Sequence, residues 1–240
     1  MQFQSRCLYK IFEFFKNQEL STKNQEQTKD MPSFLPYILP FFLFALITYL
    51  GPMLGLAPEV VYPLKTVLVG ASLVVFWPWY RSEVRWSMDW WAVLGGVLVF
   101  FLWILLEGHY PQLGSQVELT PSDFQSGSVF LFFGAFRLAG SAFVVPVMEE
   151  LFWRSFALRF LMDAHFKKVP LGAFSWFSFL SVSLAFGFEH HRWLPGILAG
   201  LVYALVLYRS KNLFSPILAH TLTNFLLGVY VLWSGEWLFW

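Results

Sequence analysis

Charge is scarce in this chain. Of its 240 residues only 13% are Asp, Glu, Lys or Arg, about half the share found in an ordinary soluble domain. Cysteine is scarcer still: Cys7 stands alone, which excludes an internal disulfide. Net charge is only +1, so nothing points to a nucleic-acid partner. The N-terminus lacks a small-residue cleavage site after a short apolar core, so no signal peptide is expected. No internal repeat is visible. What the chain has instead is apolar bulk: 57% hydrophobic residues, with 29 Phe and 12 Trp. A soluble globule of this size could not hide that much apolar surface. Aromatics gather at bilayer interfaces. The composition therefore predicts an all-α, polytopic helical membrane protein with the lipid bilayer as its solvent.

Residues 1–33 differ from the rest. Leu8, Ile11, Phe12 and Phe15 recur at helical spacing between Lys10, Glu13 and Lys16, a pattern that predicts an interfacial amphipathic helix. Residues 17–30 are polar and read as a tether. Residues 34–240 read as one membrane domain with seven apolar stretches, near 34–50, 61–80, 90–107, 128–148, 170–188, 194–208 and 213–233. Most approach the roughly 20 residues that cross a bilayer. Helices are the natural choice, because lipid offers no partner to a free backbone group.

Basic residues orient this layout. With the N-terminus cytoplasmic, inside segments hold 13 of the 16 Lys and Arg. Outside loops hold Arg192 alone, and Lys65 and Arg137 lie within spans. That is a strong positive-inside bias.

Against this background a few polar residues stand out. Glu149 and Glu150 are adjacent after some ten apolar residues, and carboxylates near hydrocarbon depth are costly to keep. Glu150 and Arg154 are four apart and share a helix face, with the acid in the favourable N-terminal position. Glu149 points about 100° away and has no such partner in its own turn. A carboxylate without a partner in an apolar site is a stronger base than in water, so Glu149 is the candidate general base, with Glu150 as its rival. Both acids bracing the following loop is the plainer alternative. Phe186 precedes His190, an imidazole at the end of an apolar helix that can orient a water beside a carboxylate. Glu189 and His191 are close rivals. His220 and Asn224 are again four apart; each offers an N–H donor, and two convergent donors can hold an oxyanion. Bonding between helices is the alternative for that pair.

One tension follows from this layout. Straight rods would put Glu149 near one membrane face and His190 near the other. Either Pro146 kinks its helix, or residues 137–160 form one long tilted helix with Glu149 at mid-depth.

Glu149-Glu150-x-x-x-Arg154, Phe186-x-x-x-His190 and His220-x-x-x-Asn224 resemble, in order, the EExxxR, FxxxH and HxxxN motifs of the CAAX-protease and bacteriocin-processing family of intramembrane glutamic proteases. The resemblance covers residues 125–232. The stretch Glu189–Gly200, with Trp193-Leu194-x-Gly196, is also similar to the exosortase-associated subgroup. The resemblance implies endopeptidase activity on a membrane-associated protein or peptide, with no cofactor and no bound metal. It implies that Glu149 and His190 activate the attacking water and that His220 and Asn224 hold the oxyanion. Glu150, Arg154 and Phe186 would support them. It further implies residence in the bacterial inner (cytoplasmic) membrane. Prenylated substrates and an oligomeric state are not implied.

Three other readings compete; the weakest is a transporter, since intramembrane acids also mark proton paths but no repeat halves are visible. A zinc-dependent variant could use the same Glu and His residues, although no His-Glu-x-x-His run is present. A non-catalytic scaffold, immunity or chaperone-like protein could share the fold. The topology is directly testable. Reporter fusions after residues 55, 115 and 235 should all report the outside; a cytoplasmic signal after 115 would mean a span is missing or extra.

Overall fold

The computed structural model describes residues 32–114 and 119–239. The expected amphipathic helix at Leu8–Phe15 lies outside the described residues. Contacts divide the chain into Met1–Leu35 and Pro36–Trp240. Only Pro32–Leu35 of the first unit are described, and the architecture is that of the second.

Seven apolar helices make up the described membrane unit. They are α1 (Leu35–Met53), α2 (Pro58–Tyr80), α3 (Trp90–Leu105), α4 (Gly127–Phe160), α5 (Trp176–Phe188), α6 (Trp193–Ser210) and α7 (Phe214–Ser234). No strand occurs among the described residues. The chain is an all-α polytopic membrane protein. Five helices, α1, α2, α4, α6 and α7, are long and apolar enough to cross a membrane. All seven apolar stretches read from sequence are helical, but they are not seven equal spans.

The largest departure concerns α4 and α5. The stretch 170–188 suggests nearly 19 helical residues, whereas α5 has 13. The missing turn is irregular for a local reason: Gly172 takes φ +74°, and Ser175 caps the helix by accepting from Ser178 N–H. Conversely, α4 runs on for 34 residues, about 50 Å at 1.5 Å per residue. Pro146 does not break it. Two π-helical turns, Gly140–Val144 and Leu151–Ala157, flank the short α segment Val145–Glu150. Such turns widen the helix and free backbone carbonyls for other partners. An overlong α4 carries Glu149 well inside its own length, the short α5 ends two residues before His190, and both residues line one cavity. This removes the tension between Glu149 and His190.

Packing sets the rest. α5 lies along α6, α3 along both α6 and α7, and α2 against the start of α4. α5 and α6 meet at Gly187 and Gly196. A Cβ on Gly187 would stand 2.6 Å from Ile197 N, and one on Gly196 would stand 3.0 Å from Gly187 Cα. The first spacing is not tolerable and the second is tight against backbone, so the two glycines allow the close crossing of α5 and α6. α1 packs its Phe41 ring flat on Phe152 of the second π turn, with centroids 4.2 Å apart.

Candidate active site

Glu149 and Glu150 sit at the end of the α segment between the two π turns of α4. Both are buried, at 5% and 0% exposure. Glu150 is held on two sides. Its Oε2 pairs with Arg154 Nε at 3.1 Å, and its Oε1 accepts from His220 Nδ1 at 2.9 Å. Arg154, itself 1% exposed, lies over the Phe186 ring at 4.2 Å and the Tyr203 ring at 5.3 Å. A buried cation is costly unless paired, and here one carboxylate and two ring faces meet it.

His220 is thereby fixed. Its Nδ1 donates to Glu150, so in the neutral ring Nε2 carries the lone pair. Nε2 faces Glu149 Oε2 at 3.9 Å. The ring is stacked on Tyr203 at 4.8 Å and 22°. Tyr203 in turn donates to Thr223 Oγ1 at 2.8 Å, and the Thr223 hydroxyl reaches the carbonyls of Gly96 and Ala219. α3, α4, α6 and α7 are thus joined through one polar cluster. Glu149 Oε2 is buried and has no hydrogen-bond partner among the described residues.

His190 lies in the turn between α5 and α6. Its Nδ1 donates to Phe186 carbonyl at 2.8 Å, again leaving Nε2 as an acceptor. The ring packs edge-on to Trp103, with centroids 5.6 Å apart. Burial pushes the imidazole down to about 4, only partly offset by the bond to Phe186, so it is neutral at pH 7. The turn is clamped from outside. Arg192 pairs with Glu107 at 2.7 Å, His191 Nδ1 donates to Leu113 carbonyl at 2.7 Å, and Trp193 donates to Pro111 carbonyl at 2.8 Å. Of the rivals of His190, His191 is engaged on Leu113, and Glu189 accepts from Trp153 Nε1 at 3.2 Å.

Asn224 donates from Nδ2 to the Ser141 carbonyl at 2.8 Å, a group in the first π turn. One Nδ2 hydrogen is committed there; the other remains for a ligand. Glu149, Phe186, His190, His220 and Asn224 all line one cavity of about 170 Å³. Glu150 and Arg154 stand behind its wall, touching the cavity only through His220 and Phe186. Tyr62, Trp103, Arg137, Ser141, Tyr203 and Thr223 also line it, and none of these was singled out from sequence. Thr223 could have been, since it lies three residues after His220 and shares its helix face. Arg137 also carried a signal, as a basic residue within a span. Tyr203 carried none. Among the described residues, no group of three or more His, Cys, Asp or Glu side chains is suited to holding a metal ion.

Paired acids and imidazoles around a buried cavity in a polytopic helical protein fit a membrane-embedded hydrolase. Comparison with known families narrows it. The Rce1-like family model, type II CAAX prenyl endopeptidase Rce1-like, matches residues 130–226. The match spans all three motifs and supports the CAAX-protease and bacteriocin-processing family for this chain. No curated protein and no solved structure matches it.

The double duty of Glu150 yields a stability prediction. Glu150→Gln keeps the shape but leaves Arg154 without its counter-charge. Breaking one partner of a buried pair costs about 3–5 kcal/mol, so thermal unfolding in detergent should shift down by many degrees. Glu149→Gln, which breaks no pair that strong, should shift it little. Equal stabilities for the two variants would contradict the assignment of roles.

Proposed function

We propose that this protein is an intramembrane endopeptidase in which Glu149 is the general base. The family match supports a CAAX-type membrane protease. The observation that carries the mechanism is the Glu149 oxygen without a partner, facing the same cavity as His190, His220 and Asn224. A water between Glu149 and His190 Nε2 would meet two acceptors. Its proton passes to Glu149 as its oxygen attacks the peptide carbonyl. Asn224, oriented by the Ser141 carbonyl, gives its remaining N–H to the developing oxyanion. His220 Nε2 has no proton to offer in its neutral form. It becomes a second donor only after taking one, and Glu149, 3.9 Å away, is the group from which it can come. Glu150 on the far side of the ring then balances the imidazolium. The same proton can go on to the leaving amine. His220 is thus both relay and donor, whereas Asn224 is a donor throughout.

The substrate is a membrane-associated protein or peptide. Placement in the exosortase-associated subgroup and in a bacterial cytoplasmic membrane, with the N-terminus inside, completes the proposal. The subgroup rests on Trp193-Leu194-x-Gly196, the bacterial membrane on the family resemblance, and the orientation on the basic-residue bias.

Cleavage of a quenched-fluorescence library of apolar peptides by the protein in proteoliposomes tests this reading. Glu149→Gln should abolish cleavage with the melting temperature kept. Asn224→Ala should lower turnover by about 10²–10³ with little change in KM. Activity should persist in a strong chelator. Cleavage by Glu149→Gln at the wild-type rate would overturn the base, and loss of activity on chelation would favour the zinc-dependent variant. An Asn224→Ala protein that melts earlier but keeps full specific activity would reduce Asn224 to a helix bridge.

A further inference from the structure

Away from the cavity just described, two depressions share one residue. The first is an apolar groove of about 370 Å³ between α3 and α6, walled by Leu94, Leu98, Val202 and Leu205, with Trp91 and Arg209 also lining it. The second is a polar basin of about 510 Å³ at the ends of the helices, lined by Arg85, Ser87, Asp89, Arg209, Asn212 and Ser215. Arg209 belongs to both, and its guanidinium lies 5.8 Å from the Trp91 ring.

The basin is built rather than incidental. Asn212 fixes its floor: the side chain accepts from Arg85 N–H at 3.0 Å and donates to Arg85 carbonyl and to Ser87 Oγ. Ser215 is fully buried, lines the basin, and has a hydroxyl without a partner. Asp89 is the one acid in the lining, and it caps α3 by accepting from Trp91 N–H at 3.0 Å. Arg85 and Arg209 against Asp89 leave one net positive charge. The basin lies at the end where α2 and α6 finish and α3 and α7 begin.

We propose that groove and basin together bind one anionic phospholipid. One acyl chain lies in the groove between α3 and α6. The phosphodiester, with its single negative charge, sits on Arg209 and Arg85 and accepts from the Ser215 hydroxyl. Charge complementarity selects the occupant. A zwitterionic choline headgroup adds a cation next to two arginines, whereas a glycerol headgroup does not. A soluble phosphate ester has the charge but no chain for the groove. The positive-inside bias assigns this end to the cytoplasmic leaflet, where basic residues meet anionic lipid. The site is independent of the proteolytic reading, because none of its residues lines the Glu149 cavity.

Native mass spectrometry and thermal unfolding of the full chain in detergent test it with three probes: phosphatidylglycerol, phosphatidylcholine and glycerol phosphate. The expected result is one retained phosphatidylglycerol per chain and a higher melting temperature than with phosphatidylcholine. Glycerol phosphate should give no shift. Arg209→Gln with Arg85→Gln should weaken phosphatidylglycerol retention about tenfold or more, as expected for losing charge-assisted bonds. Leu98→Trp, which fills the groove and leaves the arginines intact, should weaken it too. Equal retention of the two lipids, or retention by the double arginine variant at the wild-type level, would overturn the proposal. Binding of glycerol phosphate as tight as that of the lipid would overturn the groove.

Discussion

One carboxylate organises the interior of this protein. Glu150 is fully buried and meets Arg154 on one side and His220 on the other. A buried charge tolerates such a position only when its partners are fixed, and each partner is. Arg154 is covered by the Phe186 and Tyr203 rings, and His220 is stacked on Tyr203. Through these contacts Glu150 sets the rotation of α4, the register of α7 against it, and the direction of the His220 ring. Glu149, the neighbour one position back, is left facing the cavity because Glu150 is not. The adjacency of the two acids therefore separates them by helix geometry: about 100° of rotation sets Glu150 against Arg154 and His220 and turns Glu149 to the cavity.

The same economy governs depth. Helix α4 is longer than a bilayer requires and α5 is shorter. Together they let an acid from the interior of one helix line the same cavity as a histidine from just beyond the end of another. The π turns on either side of Val145–Glu150 widen α4 where its side chains must reach three neighbours. They also give Asn224 a carbonyl to hold, at Ser141. Close contact of α5 with α6 at Gly187 and Gly196 brings His190 in, and the Glu107–Arg192 pair holds its turn from outside.

Much of this was legible in the sequence. Apolar runs gave the all-α polytopic fold, because a bilayer-length segment is a one-dimensional signal. Spacing of four gave the Glu150–Arg154 pair, and the motif order pointed to the candidate residues that line the cavity. What was not legible depends on three dimensions. The short α5 is decided by the Gly172 turn and the Ser175 cap, and both are subtle within an apolar run. π turns have no sequence signature of the strength of a proline. Tyr203 is an ordinary aromatic in an apolar helix until α7 is packed against it. The tautomer of His220, which decides when it can donate, follows only from the side on which Glu150 stands.

The most direct test is a double-mutant cycle on Glu150→Gln and His220→Gln, read as unfolding free energy in one detergent. The account predicts that the two changes are not additive. They should be coupled by about 1 kcal/mol or more, in the range seen for residues in one buried polar network. Additive effects would mean that Glu150 does not hold His220, and the placement of Glu149 and His220 about one cavity would then need another cause.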